Sequence, residues 1–202
     1  MILHRAFDEI FRSWSHVAVL RALMDTVNGF TGNETARVSG MSRVAALKAL
    51  TSLEALGIVR RVRGGRDHIF TLNRNHWLVT TAILPCYESE RAFRVQVFAA
   101  LQRIVKKSVM SAIVFGSVAR REEEPWSDLD LCCIVRYEKE KVAIREKVGS
   151  ASAKLNSQYG IKLAPIYFTI AEFRSKSKTA LIKDILAEGI VLSGASPKTL
   201  LR

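Results

Sequence analysis

An apolar run that ends in Gly-Ser and is followed about a dozen residues later by Asp-x-Asp constrains this chain more than any other feature. The run is Ser111-Ala112-Ile113-Val114-Phe115, and it leads into Gly116-Ser117-Val118-Ala119-Arg120. After an acidic loop come Ser127-Asp128-Leu129-Asp130 and the apolar Leu131-Cys132-Cys133-Ile134-Val135. The pattern predicts a strand, a tight turn, a helix start and a second strand. Side chains alternate along a strand, so Asp128 and Asp130 fall on one face, close together. Two such carboxylates repel and raise each other's pKa unless a cation lies between them, and Mg2+ is the obvious occupant. Gly116 permits close backbone approach to a phosphate. Ser117 offers a hydroxyl and an amide at a helix start, and Arg120 stands within reach of a triphosphate. An Asp-x-Asp pair alone reads as a solvated strand start; joined to Gly-Ser at this spacing, it reads as a site.

This combination resembles the nucleotidyltransferase superfamily of the polymerase-β type and, within it, the minimal nucleotidyltransferases. The segment Ile182–Gly194 is similar to their closing helix and strand, so the resemblance spans residues 109–194. It implies a C-terminal mixed-sheet α/β domain over 109–202. It also implies two-metal transfer of a nucleoside monophosphate from a nucleoside triphosphate to an acceptor, with Asp128 and Asp130 as the catalytic, ion-ligating pair and Gly116, Ser117 and Arg120 on the nucleotide. Minimal members often work with a separately encoded helical protein, which makes such a partner in trans an expectation here.

The pattern departs from the family in two places. Active members carry a third carboxylate on a later strand, where it can accept the proton of the attacking hydroxyl. The corresponding run, Ile161-Lys162-Leu163-Ala164-Pro165-Ile166-Tyr167-Phe168, has no Asp or Glu, and Glu172 and Asp184 fall in segments expected to be helical. Arg121 also stands where many relatives have glycine. Losing a general base costs about 10²–10⁴ in rate. A transferase, or a regulator whose degenerate domain binds nucleotide without turnover, are therefore the two readings.

The N-terminal third carries a different pattern. Apolar residues from Ser13 to Thr26 follow helical spacing, a break at 29–33 precedes the polar segment Glu34–Val38, and Ser39-Gly40 makes a turn. A third helix is expected from a Ser42 cap through Val44, Leu47, Leu50, Leu53 and Leu56 to Gly57. The segments 58–63 and 66–72 then form a hairpin around Gly64-Gly65. Three helices plus a β-hairpin resemble the winged helix-turn-helix of bacterial and archaeal regulators, which implies DNA binding through Ser42, Arg43 and Lys48 on the third helix and Arg60, Arg61, Arg63 and Arg66 on the hairpin. The outward face of that helix otherwise offers Ala45, Ala46 and Ala49, so phosphate contact with modest base preference is expected of one monomer, and a homodimer across two half-sites would sharpen it.

The expected organisation is α+β. It comprises a winged helix-turn-helix over 1–78, a connector helix over 79–108 with Phe93, Val97, Phe98, Leu101 and Ile104 on one stripe and Pro85 limiting its start, and the nucleotidyltransferase domain over 109–202. The net charge is +12 and the isoelectric point near 10.0. The excess is +5 over residues 1–75, +3 over 76–110 and +4 over 111–202, a spread that suits a polyanion such as DNA. No apolar run approaches the roughly 20 residues of a membrane span, so a cytoplasmic protein is expected. The three cysteines never share metal-ligand spacing with the four histidines, and they read as buried structural residues.

Overall fold

The computed structural model describes residues 3–65 and 67–201. It is a mixed α+β structure that divides into two compact units, residues 1–92 and 93–202.

In the first unit, α1 (Ala6–Ile10) leads to α2 (Trp14–Met24), a short strand β1 (Phe30–Thr31), α3 (Gly32–Ser39) and α4 (Arg43–Ala55). The hairpin strands β2 (Val59–Gly64) and β3 (Asp67–Leu72) follow. Local chemistry sets these boundaries. Ser13 and Ser42 accept bonds from the amides of His16 and Ala45 and cap α2 and α4. Thr31 and Glu34 form a capping box at the start of α3. The hairpin pairs Val59 with Leu72 through to Gly64 with Asp67. β1 adds to β3, making a three-stranded antiparallel sheet ordered β1-β3-β2. Sequence reasoning missed both α1 and β1: the one is a single turn and a half, the other two residues inside the break at 29–33. Leu20, Leu23, Leu50, Leu53, Ile58 and Phe70 close the core. Leu50→Ala is expected to destabilise this unit by about 2–5 kcal/mol in denaturant titration, because the fully buried side chain leaves a cavity.

The segment after β3 corrects one expectation. Pro85 does not limit the helix. A π-helical turn, Val79–Ile83, runs directly into α5 (Leu84–Val105), so Pro85 lies inside a continuous helical stretch. The wider turn before it relieves the clash that a proline ring makes with the preceding turn of a regular α-helix. Val79, Ile83 and Tyr87 are buried with the first unit, and the Tyr87 hydroxyl donates to the carbonyl of Val17 at 2.7 Å. Burial pushes the Tyr87 phenol up to about 12.

The second unit is a four-stranded sheet ordered β6-β5-β4-β7. Its elements are β4 (Ser111–Phe115), α6 (Ser117–Arg120), β5 (Leu129–Val135), α7 (Glu138–Tyr159), β6 (Leu163–Thr169), α8 (Ile170–Ser175), α9 (Ala180–Glu188), β7 (Ile190–Gly194) and α10 (Pro197–Leu200). β5 runs parallel to β6, and the other pairings are antiparallel. The continuous apolar runs of β4 and β5 are explained by two covered faces. Ala112, Val114, Leu131 and Cys133 pack with Val97, Leu101 and Val105 of α5 and with Ile144 and Val148 of α7. Ile113, Phe115, Cys132 and Ile134 pack with Phe173, Ile182 and Ile185 on the other side. Cys132 and Cys133 therefore face opposite layers, and burial pushes the Cys133 thiol up to about 12 and that of Cys132 higher still. Cys86 departs from the expectation: it is exposed. Among the described residues no helix is long and apolar enough to cross a membrane.

Candidate functional site

β4 and β5 bring the Gly-Ser turn onto the Asp pair. Phe115 stands opposite Asp130 in the antiparallel register, so the residue after Phe115 leaves the sheet beside the Asp130 carboxylate. That residue is Gly116, with φ +73°; a Cβ there would lie 2.2 Å from Asp130 Oδ2. Both the backbone conformation and the close approach demand glycine. Ser117 then opens the short helix α6.

Asp130 shares its strand face with Cys132 and Ile134 but lies at the strand's beginning, where the core ends and solvent enters. Partial burial raises its pKa first, the neighbouring charge of Asp128 raises it further, and Arg120 acts in the opposite direction. The two carboxylates thus feel each other across one small space, which is the electrostatic condition that a cation relieves. Among the described residues no group of three His, Cys, Asp or Glu side chains gathers as a metal cluster, so Asp128 and Asp130 stand as a pair.

The neighbouring strand explains why there is no third member. β6 runs parallel to β5 with Ala164 opposite Asp130 and Leu163 opposite Leu129. Partners directly opposite share a face, so a methyl group occupies the position from which a third carboxylate would join Asp130. Two residues earlier Lys162 reaches Asp128, its Nζ 3.1 Å from Oδ1. Glu172 is engaged elsewhere: it receives Lys141 Nζ at 2.8 Å and the Thr169 amide at 2.7 Å, capping α8. The Lys141 hydrogen bond, then the Thr169 amide, hold its carboxyl below the ordinary range, which suits a structural cap and makes it a poor base. Asp184 lies exposed on α9.

Arg120 is held by two carboxylates, Glu122 at 2.8 Å and Glu188 at 2.5 Å. Its charge still reaches Asp130, as the carboxyl's pKa shows. Arg121 ends α6 in the left-handed region, φ 62°. This gives the family's preference for glycine at that position a physical cause, since a left-handed non-glycine residue costs about 1–2 kcal/mol. Arg121→Gly is expected to raise stability by about 0.5–1 kcal/mol, the relief exceeding the entropy that glycine loses on folding, as read by the denaturation midpoint.

Of the residues expected on DNA, Ser42 serves as the cap of α4, and Arg43 and Lys48 are exposed along that helix. Arg60 and Arg63 are exposed on β2, while Arg61 is paired with Glu54 at 3.0 Å. Arg66 lies outside the described residues. Sequence reasoning passed over three positions that border the Asp pair. Lys162 and Ala164 become visible only through strand register. Trp126, two residues before Asp128 and 79% exposed, carried a signal in the sequence: an aromatic residue set in an acidic loop.

With this geometry in place, residues 96–192 match the family model of the nucleotidyltransferase domain. The chain therefore carries a nucleotidyltransferase domain in its second unit. No curated protein matches the chain. Among solved structures, it is similar to one described as a toxin-antitoxin with AMP-PNP, at 12% identity over 52% of this chain and 80% of that one, with a TM-score of 0.36. A mutant of the toxin-antitoxin MntA-HpeT gives 11% identity over the same shares, with a TM-score of 0.35.

Proposed function

We propose that this protein binds DNA through its first unit and transfers a nucleoside monophosphate from a Mg2+-bound nucleoside triphosphate through its second. The approach of Gly116 to the paired carboxylates Asp128 and Asp130 carries the reading. The cradle fits a cation and a phosphate together: the carboxylates supply oxygen donors, and the missing Cβ leaves room at their edge. In this reading Asp128 and Asp130 hold divalent ions, while the turn at Gly116-Ser117 holds the distal phosphates. A divalent ion there bridges phosphate oxygens and offsets charge during transfer. Arg120 supports the phosphates once it is drawn from Glu122 and Glu188. The acceptor is a hydroxyl-bearing group on a protein partner, a nucleic acid end or a small molecule.

A second reading is favoured by one observation, the methyl group of Ala164 facing Asp130. Without a carboxylate there, the site binds nucleotide and cation but turns over slowly, and the protein acts as a regulator whose affinity for DNA responds to nucleotide. Label transfer from a radiolabelled triphosphate to DNA, RNA or co-purified protein, read beside calorimetric binding, separates the two. Transfer supports the first reading, and carboxylate-dependent binding without transfer supports the second.

Lys162 bears on both. Its ammonium competes with a cation for Asp128, so Lys162→Gln is expected to tighten Mg2+ or Mn2+ binding several-fold by calorimetry. For the first unit, the arrangement of three helices and an exposed basic hairpin supports a winged helix-turn-helix on the phosphate backbone. Arg63→Ala is expected to weaken duplex binding about equally across sequences and to lower the slope of log affinity against log salt by about one.

A further inference from the structure

A polar cleft of about 290 Å3 lies in the first unit between the start of α2 and one side of α4. Arg12, Ser13, Ser15, His16, Lys48 and Ser52 line it. His16 is the informative member, because it is only 4% exposed and yet forms part of the lining. Its Nδ1 lies 3.1 Å from the carbonyl oxygens of both Glu9 and Ile10. Carbonyl oxygens only accept, so Nδ1 carries the hydrogen and Nε2 is the lone-pair nitrogen of the neutral ring. Nε2 has no hydrogen-bond partner among the described residues. A buried imidazole thus turns one unpaired nitrogen toward a cleft furnished with hydroxyls and cations.

The charges around it favour an anion. Glu9 belongs to α1, and its carboxylate is occupied by Arg12 at 3.3 Å. Arg12 comes from the turn before α2, and Lys48 comes from α4, where it has no ion-pair partner among the described residues. The first turn of α2 adds backbone amides that have no acceptor within the helix. A neutral Nε2 would repel an oxyanion's lone pairs, whereas a protonated one donates to it.

We propose that this cleft binds a tetrahedral oxyanion of the phosphate type together with one proton, which Nε2 of His16 takes up. Lys48 and Arg12 supply the charge and the hydroxyls of Ser13 and Ser15 complete the donors. The anion is either a free phosphate group or a backbone phosphate of nucleic acid, and the site stands whether or not the Asp128/Asp130 centre is active.

Sulfate is the first probe, because it does not itself titrate near neutral pH. Calorimetry on the full chain, in buffers of different ionisation heat, should show an uptake of about one proton per sulfate at pH 7.5 and an affinity that falls close to tenfold per pH unit above the imidazole's range. Lys48→Gln should weaken binding at least tenfold with unchanged thermal unfolding, and His16→Gln should remove the proton uptake. Wild-type protein that binds no sulfate, binds it without proton uptake, or binds it equally well as the Lys48 variant overturns the proposal. Competition then assigns the source: displacement of sulfate by a short duplex identifies a backbone phosphate, and displacement by inorganic phosphate but not by the duplex identifies a free one.

Discussion

Replacing Asp128 and Asp130 together with alanine is expected to abolish Mg2+-dependent nucleotide binding, a loss of 100-fold or more by calorimetry, while the fold persists. Both side chains lie at the solvent end of β5, beyond the alternating core of Leu129, Leu131 and Cys133. Removing them takes away the donors without opening a cavity. The apo variant should be no less stable than the wild type, because Asp130 is ionised at a disadvantage. Its folded-state pKa is raised, so the folded protein holds that proton more tightly than the unfolded chain does. The sign follows: ionised Asp130 detracts from stability once pH rises through its elevated pKa, and the detraction is absent at lower pH. Protons also compete with the cation for this carboxylate. Nucleotide binding should therefore fade on acidification at a higher pH than an unperturbed aspartate would give, and Asp130→Asn should remove that dependence along with the binding. The thermal midpoint gives an independent reading. Saturating Mg2+ and nucleotide should raise it in the wild type, by mass action on the folded state, and leave it unmoved in the double variant. Retention of Mg2+-dependent binding by that variant would place the nucleotide elsewhere in the molecule.

How much of this was readable beforehand depends on the range of the interaction involved. The caps at Ser13 and Ser42, the hairpin turn and the Gly-Ser/Asp-x-Asp arrangement all rest on neighbours within a dozen or so residues, and a local pattern suffices to find them. The alternation in β4 and β5 even separated Cys132 from Cys133 correctly, since opposite faces are a property of the strand itself. What failed was non-local or compensated. β1 exists because β3 is there to pair with it, and two residues cannot announce a strand alone. Pro85 breaks an ordinary helix, but the π-helical turn before it removes the clash, and nothing in the sequence around Thr80 marks that turn. The chemistry of the site divides the same way. The carboxylate pair was visible as a motif; the meaning of Ala164 and Lys162 required knowing which residue of β6 lies opposite Asp130. Register is decided by the packing of the whole sheet and shifts the facing residue completely with a slip of one.

That register yields the most consequential prediction for activity. Ala164→Asp should create the missing third carboxylate in place, because Ala164 and Asp130 are direct partners on parallel strands and share a face. Ala164 is only partly buried, so the new side chain has a route to solvent and to ions. Without cations the variant should lose some stability, since three carboxylates would then crowd one end of the sheet with Lys162 as the nearby counter-charge. With Mg2+ that penalty reverses, and the thermal shift on adding Mg2+ should exceed the wild type's. For transfer, a base positioned beside the reacting hydroxyl is worth about 10²–10⁴ in rate. A gain of that order in label transfer, with nucleotide affinity changed far less, would show that the wild-type domain keeps the binding half of the chemistry and lacks the proton acceptor. Wild-type transfer that is already fast, and not improved by aspartate at 164, would mean that the attacking group arrives already activated by the acceptor's own chemistry. The regulator reading would then be untenable, because a site that turns over without its own base is still a transferase.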